Sequence, residues 1–275
     1  MNMNFKSITS PVTLHESLMD EPLGYRTGSG IVLVYSCRAF NKDSANEDAL
    51  AVIPVNDSTL VLAIADGLGG MPAGEQAAQI VIQRLIKSLL TMQHEDASVR
   101  EVLLDSIEQA NDEILEMKNG AATTLVVAEV SGTSLRTYHA GDSMIMLIGN
   151  RGVIKYSAIP HSPTGYAREA GIIDESEAML HEERHLISNY LGSPDMRLEI
   201  GPSIKMAPRD TLLLASDGLS DNLYDNEIVE LCRKGPVLEC SRNLLAECNR
   251  YMMHPSADRI CHPDDLSFIL FRLKN

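Results

Sequence analysis

At 275 residues the chain is long enough for one large domain or two small ones, and its 44% hydrophobic content supplies an ample core. The formal net charge of −15, with no run of Lys and Arg longer than two, argues against nucleic acid and anionic membrane surfaces as partners. Five cysteines, an odd number with no Cys-x-x-Cys, point to free thiols in a reducing, cytoplasmic compartment, and neither a signal peptide nor a transmembrane-length span is legible.

Residues 1–28 are mixed and polar, with Pro11, Pro22 and Gly24, and read as an irregular or partly ordered arm before a single domain over 29–275. β-Branched and aliphatic runs predict strands at 31–36, 49–53 and 59–65. Apolar stripes at helical spacing predict two long helices, 73–92 with Pro72 near its start and 98–117. Strands follow at 123–130, 134–140 and 144–148, the first two joined by a hairpin at Ser131-Gly132. Residues 157–197, with His161, Gly165, His181, His185 and only short apolar runs, read as a surface insertion with one or two short helices. A strand at 211–216, helices near 225–234 and 237–253 and a last strand at 266–273 complete the chain. Short connections between strands predict an α+β fold with largely antiparallel sheets.

Carboxylates recur at the strand ends. The run from Leu60 to Ala65 leads into Asp66-Gly67-Leu68, and the run from Thr211 to Ser216 leads into Asp217-Gly218-Leu219. A lone Asp-Gly is usually a turn, but a turn needs no apolar strand of fixed phase before it. Asp48, Asp142, Asp221 and the Asp264-Asp265 pair occupy comparable places. Carboxylates that converge repel one another unless a cation lies between them, and an all-oxygen set selects Mg²⁺ or Mn²⁺ over zinc. Two such ions can activate water for in-line displacement at phosphorus. The phosphate-binding loop of nucleotide hydrolases, the kinase glycine loop and the serine-hydrolase elbow are all missing from the sequence.

With these residues in view, the stretch from about 30 to 273 resembles the metal-dependent protein serine/threonine phosphatases of type 2C, in a bacterial-like form. The matching pieces are Asn46-Glu47-Asp48, Asp66-Gly67-Leu68-Gly69-Gly70, Gly120-Ala121-Ala122-Thr123-Thr124, Ala140-Gly141-Asp142-Ser143, Leu191-Gly192, Ser216-Asp217-Gly218 with Asp221, and Asp264-Asp265-Leu266-Ser267. The resemblance implies a four-layer sandwich, two antiparallel sheets flanked by helix pairs, with the metals at one end and a flap at about 157–197. It also implies that Asp66 bridges two metals with help from the Gly67 carbonyl. Asp217 and Asp264 would complete the inner shell, while Asp48 and Glu47 hold metal-bound waters. Asp142 and Asp221, with Asp217, would serve a third ion, and Asp265 would support the ligands from behind. His161-Ser162 resembles the His-Ser that opens the flap in bacterial members.

The sequence departs from the family at two points. Where many members carry a phosphate-gripping arginine before the Glu-Asp pair, this chain reads Lys42-Asp43-Ser44-Ala45, leaving Arg38 or Lys42 for that task. Leu68 stands where animal members often have a histidine. The implied activity is hydrolysis of phosphoserine and phosphothreonine by attack of a metal-bridging hydroxide, with two or three Mg²⁺ or Mn²⁺ ions. The implied partner is a phosphorylated protein made by a serine/threonine kinase. Two alternatives are weighed against it: an inactive docking protein that regulates a kinase, and a hydrolase of small phosphate esters on the same fold.

Overall fold

The computed structural model describes residues 5–69, 73–92, 98–254 and 262–274. The sequence positions Gly70, Pro72 and Cys261 lie outside them. In chain order the strands and helices are β1 (Lys6–Ser7), β2 (Val12–His15), β3 (Leu23–Arg26), β4 (Gly30–Cys37), β5 (Asp48–Pro54), β6 (Thr59–Asp66), α1 (Gly74–Leu90) and α2 (Val99–Glu116). They continue as β7 (Leu125–Ser131), β8 (Ser134–Ala140), β9 (Met144–Ile148), β10 (Ile154–Ser157), α3 (Pro163–Glu169), α4 (Glu175–Leu180), β11 (Glu199–Ile200) and β12 (Ile204–Lys205). The last are β13 (Thr211–Ala215), α5 (Asp217–Ser220), α6 (Asp225–Cys232), α7 (Val237–Met253) and β14 (Leu266–Leu273).

Two sheets form. One runs β1-β3-β4-β14-β13-β9-β10; the other runs β11-β8-β7-β6-β5-β2, with β12 also on β8. Pairing is antiparallel throughout except between β1 and β3. Strand side chains alternate faces, so buried strands must find an apolar partner on each side. Val32 and Val34 of β4, Leu50 and Val52 of β5, and Leu212 and Leu214 of β13 meet in one cluster between the sheets. The alternate residues face outward. Ala49, Ala51 and Ala63 pack beneath α1 and α2, and Leu33, Tyr35 and Leu213 beneath α6 and α7. The second long helix starts where its sequence caps it: Ser98 Oγ accepts from the Glu101 N–H at 3.1 Å, and the Glu101 carboxylate accepts from Ser98 N–H.

Residues 5–28 are partly ordered: β1 and β3 widen the first sheet, and β2 pairs with β5 at the edge of the second, Val12 opposite Val52 and Leu14 opposite Leu50. Strands this short cannot stand alone, but an existing sheet edge offers them a ready row of unpaired N–H and C=O groups.

Candidate metal centre

The inner face of the sandwich changes character at one end. Along β4 it reads Val32, Val34, Ser36; along β6, Leu62, Ile64, Asp66; along β13 and the residue after it, Leu212, Leu214, Ser216. β5 begins with Asp48 on the same face as Leu50, and Ser267 of β14 precedes Ile269 in the same way. The period of two that fills the core thus delivers polar side chains to one end of it.

Asp48 and Asp66 stand directly opposite each other in the antiparallel register of β5 and β6. Side chains directly opposite lie on the same face, with Cβ atoms about 5 Å apart. Asp217 opens α5, and its N–H points to Asp66 Oδ2 at 3.4 Å. Ser216 Oγ donates to Asp48 Oδ2 at 2.9 Å, while Asn46 Oδ1 accepts from the Asp48 N–H at 2.9 Å. The Thr124 hydroxyl accepts from the Asp66 N–H at 3.2 Å and bonds Ser143 Oγ at 2.7 Å, which ties the two sheets together beneath the cluster.

The glycines of the two Asp-Gly pairs have a steric reason. A Cβ on Gly67 would lie 2.4 Å from the carbonyl carbon of Gly74, and one on Gly218 would lie 2.1 Å from the Asp265 carbonyl oxygen. The second contact brings α5 against the 264–265 segment, and with it Asp217 towards Asp264.

Electrostatics record the crowding. Burial and then the Asp265 charge push Asp48 up to about 7. Burial and then Asp221 push Asp142 up to about 7. Burial and then the Asp217 charge push Asp66 well above the ordinary carboxylate range, and burial and then Asp264 do the same for Asp217. Asp264, at the solvent edge, is raised by partial loss of its water and by Asp265 and Asp221, and Asp221 is raised by burial despite its pairing with Arg184. Asp48 Oδ1 and Asp142 Oδ1 are buried without a hydrogen-bond partner. Orphaned carboxylate oxygens in a crowded all-oxygen set are what one or more hard divalent cations would satisfy, so the residues fit Mg²⁺ or Mn²⁺.

The basic candidates are otherwise engaged. Lys42 Nζ lies 2.7 Å from Asp265 Oδ2 and also pairs with Glu47. Arg38 donates to the carbonyls of Asp43 and Ser44 at 3.1 and 3.3 Å, closing its own loop. Asp265 meanwhile accepts from the backbone of Ala39 and Glu47, at 2.8 and 2.7 Å. His161 is buried, with Nδ1 accepting from Gly141 N–H at 3.1 Å and Nε2 facing Glu199 at 3.2 Å.

His139, His161 and Glu199 also gather ligand-type atoms within 4.8 Å of one another. The two imidazoles stack at 4.4 Å with only 20° between their planes. In-plane lone pairs of rings so stacked do not converge on one ion, so this cluster is a packing contact. Sequence reasoning did not single out Ser216, Thr124, Arg168 or Arg184; only the first two lie inside a motif.

The profile of the family described as Protein phosphatase 2C matches residues 38–253. The chain belongs to the protein phosphatase 2C family. Among curated relatives of this phosphatase family, serine/threonine phosphatase stp of Listeria monocytogenes is 28% identical over 220 residues, 75% of this chain and 85% of that protein. PstP of Mycobacterium tuberculosis is 31% identical over 197 residues, 67% of this chain and 36% of that protein. The crystal structure of Stp1 from Staphylococcus aureus superposes with a TM-score of 0.75 at 26% identity, covering 89% of this chain and 95% of that one. The catalytic domain of PstP, in complex with two manganese ions, gives 0.71 at 25%, covering 90% and 99%. The two-sheet sandwich flanked by helix pairs is therefore the 2C phosphatase fold.

Proposed function

We propose that this chain hydrolyses phosphoserine and phosphothreonine in proteins, using Mg²⁺ or Mn²⁺ held at the polar end of the sandwich. Asp66, Asp217, Asp264 and Asp48 would hold two ions, with the Gly67 carbonyl contributing, and Asp142 and Asp221 would join Asp217 around a third. Bound divalent cations supply Lewis acidity and a water nucleophile at neutral pH. This chain's own residues set the stage. Ser216 and Asn46 fix the rotamer and backbone of Asp48. Lys42 holds Glu47 and Asp265 together, and its charge joins the Asp265 N–H in drawing the Asp264 carboxyl downward against burial and the neighbouring carboxylates. With Lys42 and Arg38 both engaged, the phosphate's charge falls mainly to the ions. His161 holds the flap base and does not serve as an acid, since Glu199, Asn189 and Gly141 take up its ring nitrogens.

The observation that carries this reading is the buried Asp48 opposite the half-buried Asp66, with Asp217 N–H directed at Asp66, crowded on one strand-end face. The relatives named as serine/threonine phosphatases support the choice of phosphoprotein over small phosphate ester. A serine/threonine kinase would supply the substrate. The described cysteines Cys37, Cys232, Cys240 and Cys248 are free, which supports a reducing compartment such as the cytoplasm. No helix among the described residues is long and apolar enough to cross a membrane.

The test is release of phosphate from a phosphothreonine peptide in the presence of chelator and then excess Mn²⁺. Activity lost with chelator, restored by Mn²⁺ and abolished in Asp66→Ala supports the reading. Full activity in chelator, or in Asp66→Ala, refutes it.

A further inference from the structure

One neutral side chain ties together the two segments that carry Asp217 and Asp264. β13 and β14 pair antiparallel from Leu212 opposite Phe271 to Ala215 opposite Phe268, and the Ser216 N–H still donates to the Ser267 carbonyl at 3.0 Å. There the two chains part, because residue 217 onward turns into α5. Beyond α5, Asn222 closes the pair again with its side chain. It is fully buried. Its amide nitrogen donates to the Gly218 carbonyl at 3.0 Å and to the His262 carbonyl at 2.7 Å, and its Oδ1 accepts from the His262 N–H at 3.1 Å. The amide thus meets residue 262 as a neighbouring strand would, through one donated and one accepted bond. The Gly218 carbonyl takes a second donor, the Cys248 thiol of α7, at 3.4 Å.

Asp217 on one chain and Asp264 on the other lie between these two fastenings, Ser216 with Ser267 and Asn222 with His262. The structure brings the two carboxylates together. After burial, Asp264 is the charge that raises Asp217 most, and both of them raise Asp66. Like charges crowded in this way push their segments apart, so the gap needs a restraint that carries no charge of its own. We propose that Asn222 is a positioning residue that sets the separation of Asp217 and Asp264, so that a divalent ion meets both without first drawing the segments together. The inference rests on the metal reading above and adds to it the residue that preorganises two of its carboxylates. An aliphatic side chain in this place would leave the N–H and C=O of residue 262 without these partners and free the segment before Asp264 to shift. Bonds that orient metal ligands from behind typically carry about 10- to 100-fold in metal affinity.

The experiment is calorimetric titration of the metal-free protein with Mn²⁺ for wild type, Asn222→Leu, Asn222→Ser and Val229→Ala, with thermal unfolding of each. Asn222→Leu removes every bond of the amide. Asn222→Ser can still donate to the Gly218 carbonyl one turn back but is too short to reach residue 262. It isolates the tie between the segments, and it keeps the test decisive if the leucine variant does not fold. Val229→Ala, in the apolar cluster on which α5 packs, controls for lost stability alone. Both Asn222 variants are expected to bind Mn²⁺ about tenfold more weakly than wild type. With a phosphothreonine peptide, the half-saturating Mn²⁺ concentration should rise by the same factor, while KM for the peptide at saturating Mn²⁺ stays unchanged. Val229→Ala should lower Tm and keep wild-type Mn²⁺ affinity. Wild-type affinity in Asn222→Ser overturns the inference. So does an equal loss in Val229→Ala, which would make the effect one of general stability, and so does a raised peptide KM at saturating Mn²⁺. Failure of wild type to bind any Mn²⁺ would overturn the metal reading itself, and this inference with it.

Discussion

Replacing Asp48 by asparagine should stabilise the metal-free protein while weakening its hold on metal. Asp48 is 1% exposed, and its carboxyl is displaced from 3.8 to about 7. Each unit corresponds to about 1.4 kcal/mol, so ionised Asp48 costs the empty fold about 4 kcal/mol at pH 8. The sign follows from which state binds the proton more tightly. Below the unfolded value near 3.9 the group is protonated in both states and contributes nothing. As pH rises, the unfolded chain ionises first, so native stability falls until about pH 7 and is level beyond it. Asparagine keeps the Ser216 hydrogen bond through its own Oδ1 and turns an amide N–H₂ toward the carboxylates where an oxygen now lies orphaned. The amide still costs something to bury, so roughly half of the penalty, about 2 kcal/mol, should be recovered. For a chain of this size that raises Tm by about 4–8 °C at pH 8. At pH 4.5 the carboxylate's penalty is only about 1 kcal/mol, less than the amide's own burial cost, so the gain should vanish or reverse. Scanning calorimetry in chelator at both pH values measures it. An unchanged or lower Tm at pH 8, or an equal gain at pH 4.5, would refute the claim that crowding among carboxylates strains the empty site.

The same displaced protons should appear on metal binding. Asp48 and Asp142, pushed up to about 7, hold protons at pH 6 that a cation must expel. Titrations with Mn²⁺ in buffers of different ionisation enthalpy should report release of at least about one proton at pH 6 and less at pH 8.5, with affinity rising between them; no buffer dependence at pH 6 would contradict this. Gly218→Ala must separate α5 from the Asp265 carbonyl, 2.1 Å from the new Cβ, which should cost about 1–3 kcal/mol in thermal unfolding and weaken Mn²⁺ binding as well. A variant of wild-type stability and affinity would remove the steric reason given for the Asp-Gly pair.

The central strands and long helices were legible because their signals are redundant. β8, β9, α7 and β14 fall on the residues that periodicity predicts, and the apolar runs before Asp66 and Asp217 announce the strand ends that carry them. The convergence of those ends was suggested by repetition of one pattern, since a strand-Asp-Gly recurring along a chain has few other uses. What periodicity did not reveal are features decided by partners far away. β2 does alternate, Val12 and Leu14 against Thr13 and His15, but four residues between Pro11 and further polar sequence carry too little signal until β5 supplies an edge. Lys42 and Arg38 looked available for phosphate because a sequence gives the charge of a side chain and not its competitors. Lys42 has two carboxylates in reach and Arg38 two carbonyls. Arg184 lies outside the motifs quoted above, and its pairing with Asp221 is decided by where the fold places it.

The most direct test is the anomalous signal of manganese in crystals grown with Mn²⁺. The account predicts manganese peaks in contact with carboxylate oxygens of Asp66 and Asp217. Crystals with that end of the sandwich empty, or with manganese bound only at His139, His161 and Glu199, would contradict it.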